Sequence, residues 1–189
     1  RNPELVINFY NERRKQLLEV RPNDGHLGLA ELEADFNVTV VTQNIDNLHE
    51  RAGSRRIIHL HGELTKVCSS RDPYNPHYIK ELKPDEYEVK FGDKAGDGTQ
   101  LRPFIVWFGE PVPEIETAVN YVEKADIFVI IGTSMNVYPA AGLLNYVPRE
   151  AEVYLIDPKP VDVHSMRRIH VIQKGASEGV RELRSLLQP

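Results

Sequence analysis

His59-Leu60-His61-Gly62 is the first stretch whose residue types could do chemistry. Two histidines two apart share a face if the stretch is a strand, and a glycine just after His61 lets the backbone turn sharply there. A histidine at a strand end can act as a base near neutral pH. A hydrogen-bonded structural histidine is the plain alternative, and a metal pair lacks a third ligand of suitable type close in sequence. Upstream, Thr42-Gln43-Asn44-Ile45-Asp46 gathers amide donors and acceptors with one carboxylate. Those groups hold a carboxamide and ribose hydroxyls, although Asn44 and Asp46 also suit the capping of a helix. Gly132-Thr133-Ser134 offers a glycine that a ligand can approach closely and two hydroxyls for ribose or phosphate, or else an ordinary strand-to-helix turn. Asp157, just before Pro158, could take ribose hydroxyls or shape a turn.

These residues need elements to place them. The β-branched run at 38–41 predicts a buried strand that ends on the Gln43–Asp46 cluster, with Asp46 capping a short helix over 47–52. Further strands are expected at 57–60, 104–107, 127–131 and 153–156, with another at 169–172. Asn2, Pro3 and Glu4 form a helix start: a capping side chain, a proline at the first helical position and an acid in the first turn. That helix runs to about Val20, and the loop Pro22-Asn23-Asp24-Gly25 separates it from a second helix over 26–34. Apolar stripes at helical spacing follow: Ile115, Ala118, Val119 and Val122; the stretch 140–146; and Val180, Leu183, Leu186 and Leu187. Strands alternating with helices predict an α/β fold, a doubly wound, Rossmann-like parallel sheet covered on both faces. Ligands of such sheets bind beyond the carboxyl ends of the strands, where Gln43, Asn44, Asp46, Gly132, Thr133, Ser134 and Asp157 all fall. The prolines, glycines and charges of 64–102 break the pattern and read as a small inserted module. The expected organisation is a helical segment (1–37), a Rossmann-like domain (38–63 and 103–189) and the module (64–102).

The composition, 41% hydrophobic and 27% charged, is that of a folded globular chain. Its net charge of -5, with 23 basic residues spread along the chain, argues against a nucleic-acid partner. The longest apolar run, at 127–131, is far too short to cross a bilayer, so no membrane association and a cytoplasmic setting are expected. One cysteine, Cys68, can form neither an internal disulfide nor a multi-thiolate metal site, so no zinc is expected.

Taken together the segments resemble the sirtuin family of NAD-dependent protein-lysine deacylases. The resemblance runs in the family's order through TQNIDNLHERAG (42–53), IHLHGEL (58–64), LRPFIVWFGE (101–110), IGTSMNVYPAAG (131–142) and KGAS (174–177). It implies that the acyl-lysine carbonyl oxygen attacks the nicotinamide ribose, that nicotinamide leaves, and that a histidine, here His61, deprotonates a ribose hydroxyl so that O-acyl-ADP-ribose forms. By the same resemblance Gln43, Asn44, Ile45 and Asp46 bind the nicotinamide ribose and carboxamide, and Gly132, Thr133 and Ser134 the adenosine side. Asp157 and Ala176 take the adenine end; the family usually has Asn where Asp157 stands. Val106, Trp107, Phe108 and Gly109 look like the strand that pairs with the substrate backbone beside the acyl-lysine tunnel.

Tyr10 and Arg13, three apart on one helix face, resemble the Tyr-x-x-Arg pair of the subgroup that removes succinyl and malonyl groups. An Arg fork and a phenol can bind a distal carboxylate that acetyl lacks, and the segment 1–37 would line that pocket. The plain alternative is a packed Tyr10 and a solvated Arg13. Two departures mark the chain. The family's module commonly carries four zinc cysteines, whereas 64–102 holds only Cys68, as in the zinc-less bacterial members of the desuccinylase- and demalonylase-like subgroup. The family's glycine-rich phosphate loop does not occur in these residues, which open at Arg1 in mid-fold, so an upstream segment is expected. The resemblance thus implies a monomeric NAD-dependent deacylase acting on acylated-lysine proteins. An inactive acyl-lysine or ADP-ribose binding module and a protein ADP-ribosyltransferase are the alternatives.

Overall fold

A computed structural model describes residues 2–132, 140–160 and 168–188. In chain order the elements are α1 (Pro3–Glu19), α2 (Asp24–Glu31), β1 (Val40–Thr42), α3 (Leu48–Ala52), β2 (Ile57–His59), β3 (Gly62–Ser69) and β4 (Lys80–Glu81). There follow β5 (Leu101–Ile105), α4 (Ile115–Val122), β6 (Ile127–Ile131), α5 (Ala140–Leu143), β7 (Glu152–Ile156), β8 (His170–Ile172) and α6 (Ala176–Leu187). The chain forms two compact units, one of residues 1–21, 42–47 and 59–112, the other of 22–41, 48–58 and 113–189. The short strands β1 and β2 pair with each other in a sheet of their own.

The first unit is built on an antiparallel sheet of order β4-β3-β5. Its register jumps between Glu63 and Val67, opposite Pro103, a residue with no N–H to give to a ladder. α1 begins where Asn2 Oδ1 accepts the Leu5 N–H at 3.1 Å and Pro3 occupies the first turn. It ends in an extended Val20, just before Arg21-Pro22. Its Ile7 packs with Val67 and Val89 in this unit's core, flanked by Leu82 and Leu101. Two turns further along α1, Arg14 is buried and donates through Nε to the Leu64 carbonyl at 2.8 Å. Burial lowers its pKa to about 10.

Cys68 is fully buried, and burial pushes its thiol up to about 11, so it remains protonated. Beside it the loop 69–99 is tied by hydroxyls. Ser69 Oγ donates to Asp97 Oδ2 at 2.7 Å and accepts from the Arg71 and Asp72 amides. Thr99 Oγ1 donates to Asp97 Oδ1 at 2.7 Å, and its backbone N–H reaches the same oxygen.

The second unit holds the parallel sheet, order β6-β7-β8, with Ile127 to Ile131 in register with Glu152 to Ile156. Val153, Tyr154, Leu155 and Ile156 are all buried, as befits a central parallel strand covered on both faces. Leu32, Tyr154, Ile156, Ile172, Val180 and Leu183 form the core between the strands, α2 and α6. A Cβ on Gly179 would overlap the Ile156 side chain, so α6 lies as close to β7 as a glycine allows. Asn23 and His26 cap α2 reciprocally, and a one-turn helix at Leu32–Ala34 completes the helical stretch expected at 26–34.

The structure departs from the sequence expectation in how its strands pair and where its units divide. β5, expected in the parallel sheet, pairs antiparallel with β3 instead. β3 runs into the stretch expected to be a loop-rich module, because Leu64, Val67 and Cys68 are buried along a strand among the charges. The units divide the chain elsewhere than composition does: pairing with β3 puts β5 with the module residues, and α1 and α2, expected in one segment, fall in different units.

Candidate active site

In the first unit the chain leaves β1 at Thr42, whose Oγ1 accepts the Asn44 N–H at 3.0 Å and turns the backbone outward. Two backbone bonds then hold the segment 42–47 along the turn that contains His61: Leu60 N to Thr42 O at 2.9 Å and Leu64 N to Ile45 O at 2.7 Å. Gln43, Asn44, Ile45 and Asp46 are thereby brought beside His61. Among them Asn44 is exposed, and its carbonyl lies 3.3 Å from His59 Nδ1. The Nε2 of Gln43 and the Oδ1 of Asn47 are buried without a partner among the described residues. A buried polar group is normally paired, so an orphaned amide donor and an orphaned amide acceptor in one short segment fit the complementary groups of a carboxamide.

β2 ends at His59, and Leu60 and His61 form the turn into β3, so the two histidines do not share a strand face as their spacing suggested. Gly62 explains the turn. It sits at φ +80°, and a Cβ there would overlap the Phe104 carbonyl oxygen. The backbone passes too close to β5 for any other residue. On the same side the His61 carbonyl accepts the Val106 N–H at 3.0 Å. The half-buried imidazole of His61 itself makes no hydrogen bond among the described residues, which leaves both ring nitrogens for a ligand.

Val106 to Gly109 form a turn rather than the expected strand. β5 stops at Ile105, the Trp107 N–H is held by Glu110 Oε2 at 2.9 Å, and the Glu110 N–H returns to the Trp107 carbonyl at 3.0 Å. Gly109 at φ +86° closes the turn, with Phe108 fully exposed at its tip. Since the Val106 and Trp107 N–H groups are both engaged within the chain, neither is free to pair with a substrate strand. Arg102 clamps the turn: its Nη1 and Nη2 grip the Glu110 carboxylate at 2.7 and 2.9 Å, and Nη2 also donates to the Ile105 carbonyl at 2.8 Å. Those Arg102 bonds hold the Glu110 carboxyl below its ordinary range.

On α1, Tyr10 is half-buried and its hydroxyl accepts the Trp107 indole N–H at 3.0 Å. Arg13 is exposed; its guanidinium lies 5.3 Å from the Phe9 ring and donates to Gln16 Oε1 at 3.3 Å. No carboxylate among the described residues pairs with it. Sequence reasoning missed Asn47, and it missed Arg102 and Glu110 as the supports of Trp107. Opposite charges eight residues apart around one tryptophan were the available signal.

In the second unit Gly132 follows β6 at φ +62°, its N–H bound to the Ile156 carbonyl at 3.0 Å, and none of the described residues comes within 4 Å of where a Cβ would stand. Asp157 follows the adjacent β7. Its Oδ1 accepts the Lys159 N–H at 2.8 Å, the turn that Pro158 suggested. Both stand at the carboxyl ends of parallel strands, and Ala176 opens α6. Thr133 and Ser134 lie outside the described residues.

The family model for the Sir2 family matches residues 1–139. The chain belongs to the Sir2 family. A relative from Bacteroides thetaiotaomicron, named NAD-dependent protein deacylase, is 84% identical over 189 residues, covering 100% of this chain and 81% of the relative. A Helicobacter pylori protein of the same name is 48% identical over 183 residues, 97% of this chain and 77% of its own length. Among solved structures, a Sir2 homolog–NAD complex superposes with a TM-score of 0.81 at 34% identity, over 99% of this chain and 74% of that one. A Sir2–p53 peptide–NAD+ complex does so at 0.71 and 27% identity, over 90% and 72%. The fold is thus the Sir2-type α/β fold. Within it the Sir2 chain keeps its orphaned amides and its open histidine in the first unit, and Gly132 and Asp157 at the sheet ends of the second.

Proposed function

We propose that the protein is an NAD-dependent protein-lysine deacylase that removes acetyl groups and, through Tyr10 and Arg13, succinyl and malonyl groups. The observation that carries this reading is the clamp between 42–47 and the His61 turn, which puts two unpaired amide groups and an unengaged imidazole together. NAD, when bound, supplies the ribose carbon from which nicotinamide leaves. Gln43 and Asn47 would hold the carboxamide, Asn44 and Asp46 the ribose hydroxyls, and Ile45 would line the same pocket. A ring nitrogen of His61 would accept a proton from a ribose hydroxyl as the acyl group transfers. Gly132, Thr133, Ser134, Asp157 and Ala176 are proposed for the adenosine side, supported by the strand-end positions of those described.

Among the described residues Arg13 is held only by an exposed 3.3 Å bond and a ring contact, so turning it to an acyl carboxylate gives up little. The Tyr10 hydroxyl and the Arg13 fork would share that carboxylate. Val106, Trp107, Phe108 and Gly109 are proposed to face the substrate as a turn, with exposed Phe108 against the acylated chain. The single buried cysteine supports a zinc-free enzyme, and the net charge of -5 supports one without a nucleic-acid partner. We take it to act as a cytoplasmic monomer on acylated-lysine proteins.

The test is nicotinamide release by the full-length protein with NAD and acetyl-, malonyl- or succinyl-lysine peptides. Release is expected only with an acylated peptide, and His61→Ala is expected to lower it by at least about 100-fold, the lower range for a lost general base. Arg13→Met should reduce the succinyl rate well below the acetyl rate. Release that needs no acyl-lysine would replace this reading with ADP-ribosyl transfer or NAD hydrolysis.

A further inference from the structure

From the chain of contacts Glu110–Arg102–Trp107–Tyr10 we infer that Trp107 is a specificity-determining positioning residue, which fixes the Tyr10 hydroxyl as a hydrogen-bond donor toward acidic acyl groups. The inference rests on the acidic-acyl reading above and deepens it. An indole N–H can only donate, so at the 3.0 Å contact the Tyr10 oxygen must accept. The one hydroxyl proton is left to point elsewhere. A phenol free to rotate presents a proton or a lone pair to a ligand with equal ease, whereas this one, with one lone pair already taken by the indole, is biased toward presenting its proton. A carboxylate, which accepts only, is the partner that such a donor suits, and a group that must itself donate is disfavoured. Accepting from the indole also polarises the O–H bond and strengthens its donation.

The orientation holds only if the indole cannot turn, and the structure supplies that restraint. The Arg102 guanidinium carbon lies 3.7 Å from the Trp107 ring centroid, stacked on its face. Arg102 is itself 9% exposed and is immobilised by two bonds to Glu110 and one to the Ile105 carbonyl. Glu110 closes the ring of contacts by taking the Trp107 backbone N–H. Ring, guanidinium and carboxylate form a mutually bonded unit from which the indole N–H donates to Tyr10. None of these three groups needs to touch the acyl chain for this effect.

The experiment measures kcat and KM of the full-length protein with NAD on one peptide carrying either succinyl- or acetyl-lysine. It compares wild type, Trp107→Phe, Tyr10→Phe and the double variant. Phenylalanine keeps a ring over Arg102 but has no N–H. Trp107→Phe is expected to lower the succinyl-over-acetyl ratio of kcat/KM by roughly three- to tenfold, the span of one net hydrogen bond, mainly through KM. The double variant is expected to fall no further than Tyr10→Phe alone, because both act on one hydroxyl. Glu110→Gln keeps the side chain's shape and weakens the clamp, so it should lower the ratio in the same direction; it decides the matter if Trp107→Phe does not fold. An unchanged ratio, or single effects that add in the double variant, overturns the inference. Preference that depends on Tyr10 and Arg13 but ignores Trp107 sinks this inference alone. Wild type inactive on both peptides sinks the deacylase reading and this inference with it.

Discussion

A single glycine fixes where the candidate base stands. Gly62 combines a positive φ with an approach to Phe104 that leaves no room for a Cβ, and the obstructing atom is a backbone oxygen that cannot swing away. Gly62→Ala is therefore expected to destabilise the first unit by about 3–5 kcal/mol, from the strained φ together with a forced backbone shift, and to remove activity by displacing His61. An unfolding free energy, from urea titration, that falls by less than about 1 kcal/mol would show the turn to be more pliant than this geometry implies. The glycine after His61 was legible in sequence as a turn, because a residue without Cβ beside a candidate functional histidine has few other uses. The partners of Tyr10 were not legible. Trp107 and Tyr10 are 97 positions apart, and nothing in local pattern announces a hydrogen bond across that separation.

At the scale of elements, two close helix contacts set the geometry of the second unit. Gly28 on α2 faces Val180, and Gly179 on α6 faces Ile156 of β7. Gly179→Ala sets two effects against each other. Helix propensity favours alanine by about 1 kcal/mol, whereas overpacking against a β-branched Ile156 methyl costs about 1–3 kcal/mol. The expected outcome is a net loss of stability with a lowered Tm, and a raised Tm would mean that α6 can lift off β7 freely. The apolar runs of β6 and β7 were readable because buried parallel strands are nearly continuous in hydrophobic residues. β3 was not readable as a strand, since Lys66 and the polar residues around it hide a partner ladder that is distant in sequence. The end of β5 at Ile105 was hidden for another reason: a carboxylate four residues beyond Val106 captures the next amide and closes a turn inside a run of strand-forming residues.

The chain forms two units, and among the described residues a core around Val67 belongs to the first and one around Ile156 and Leu183 to the second. Acid should strain the first through particular carboxylates. Hydrogen bonds from Ser69 and then Thr99 lower the Asp97 carboxyl to about 2, and Glu110 is lowered chiefly by Arg102. Because these groups are more acidic folded than unfolded, their contribution is complete above the ordinary carboxylate range near pH 4 and is lost as pH falls toward about 2. Asp97→Asn is expected to flatten that fall, read as urea midpoints at several pH values; a variant curve parallel to wild type would acquit the cluster. Composition had suggested a polar, loop-rich module here, and the hydroxyl ties around Asp97 are its physical content. Trp107, finally, is the only tryptophan in the 189 residues. Its indole is pressed on a guanidinium and bonded to a phenol, so its fluorescence reports the first unit while the far-UV signal reports helices of both. The protein therefore carries a built-in spectroscopic label: one melt followed in two optical channels separates the loss of the deacylation turn from the loss of the parallel sheet.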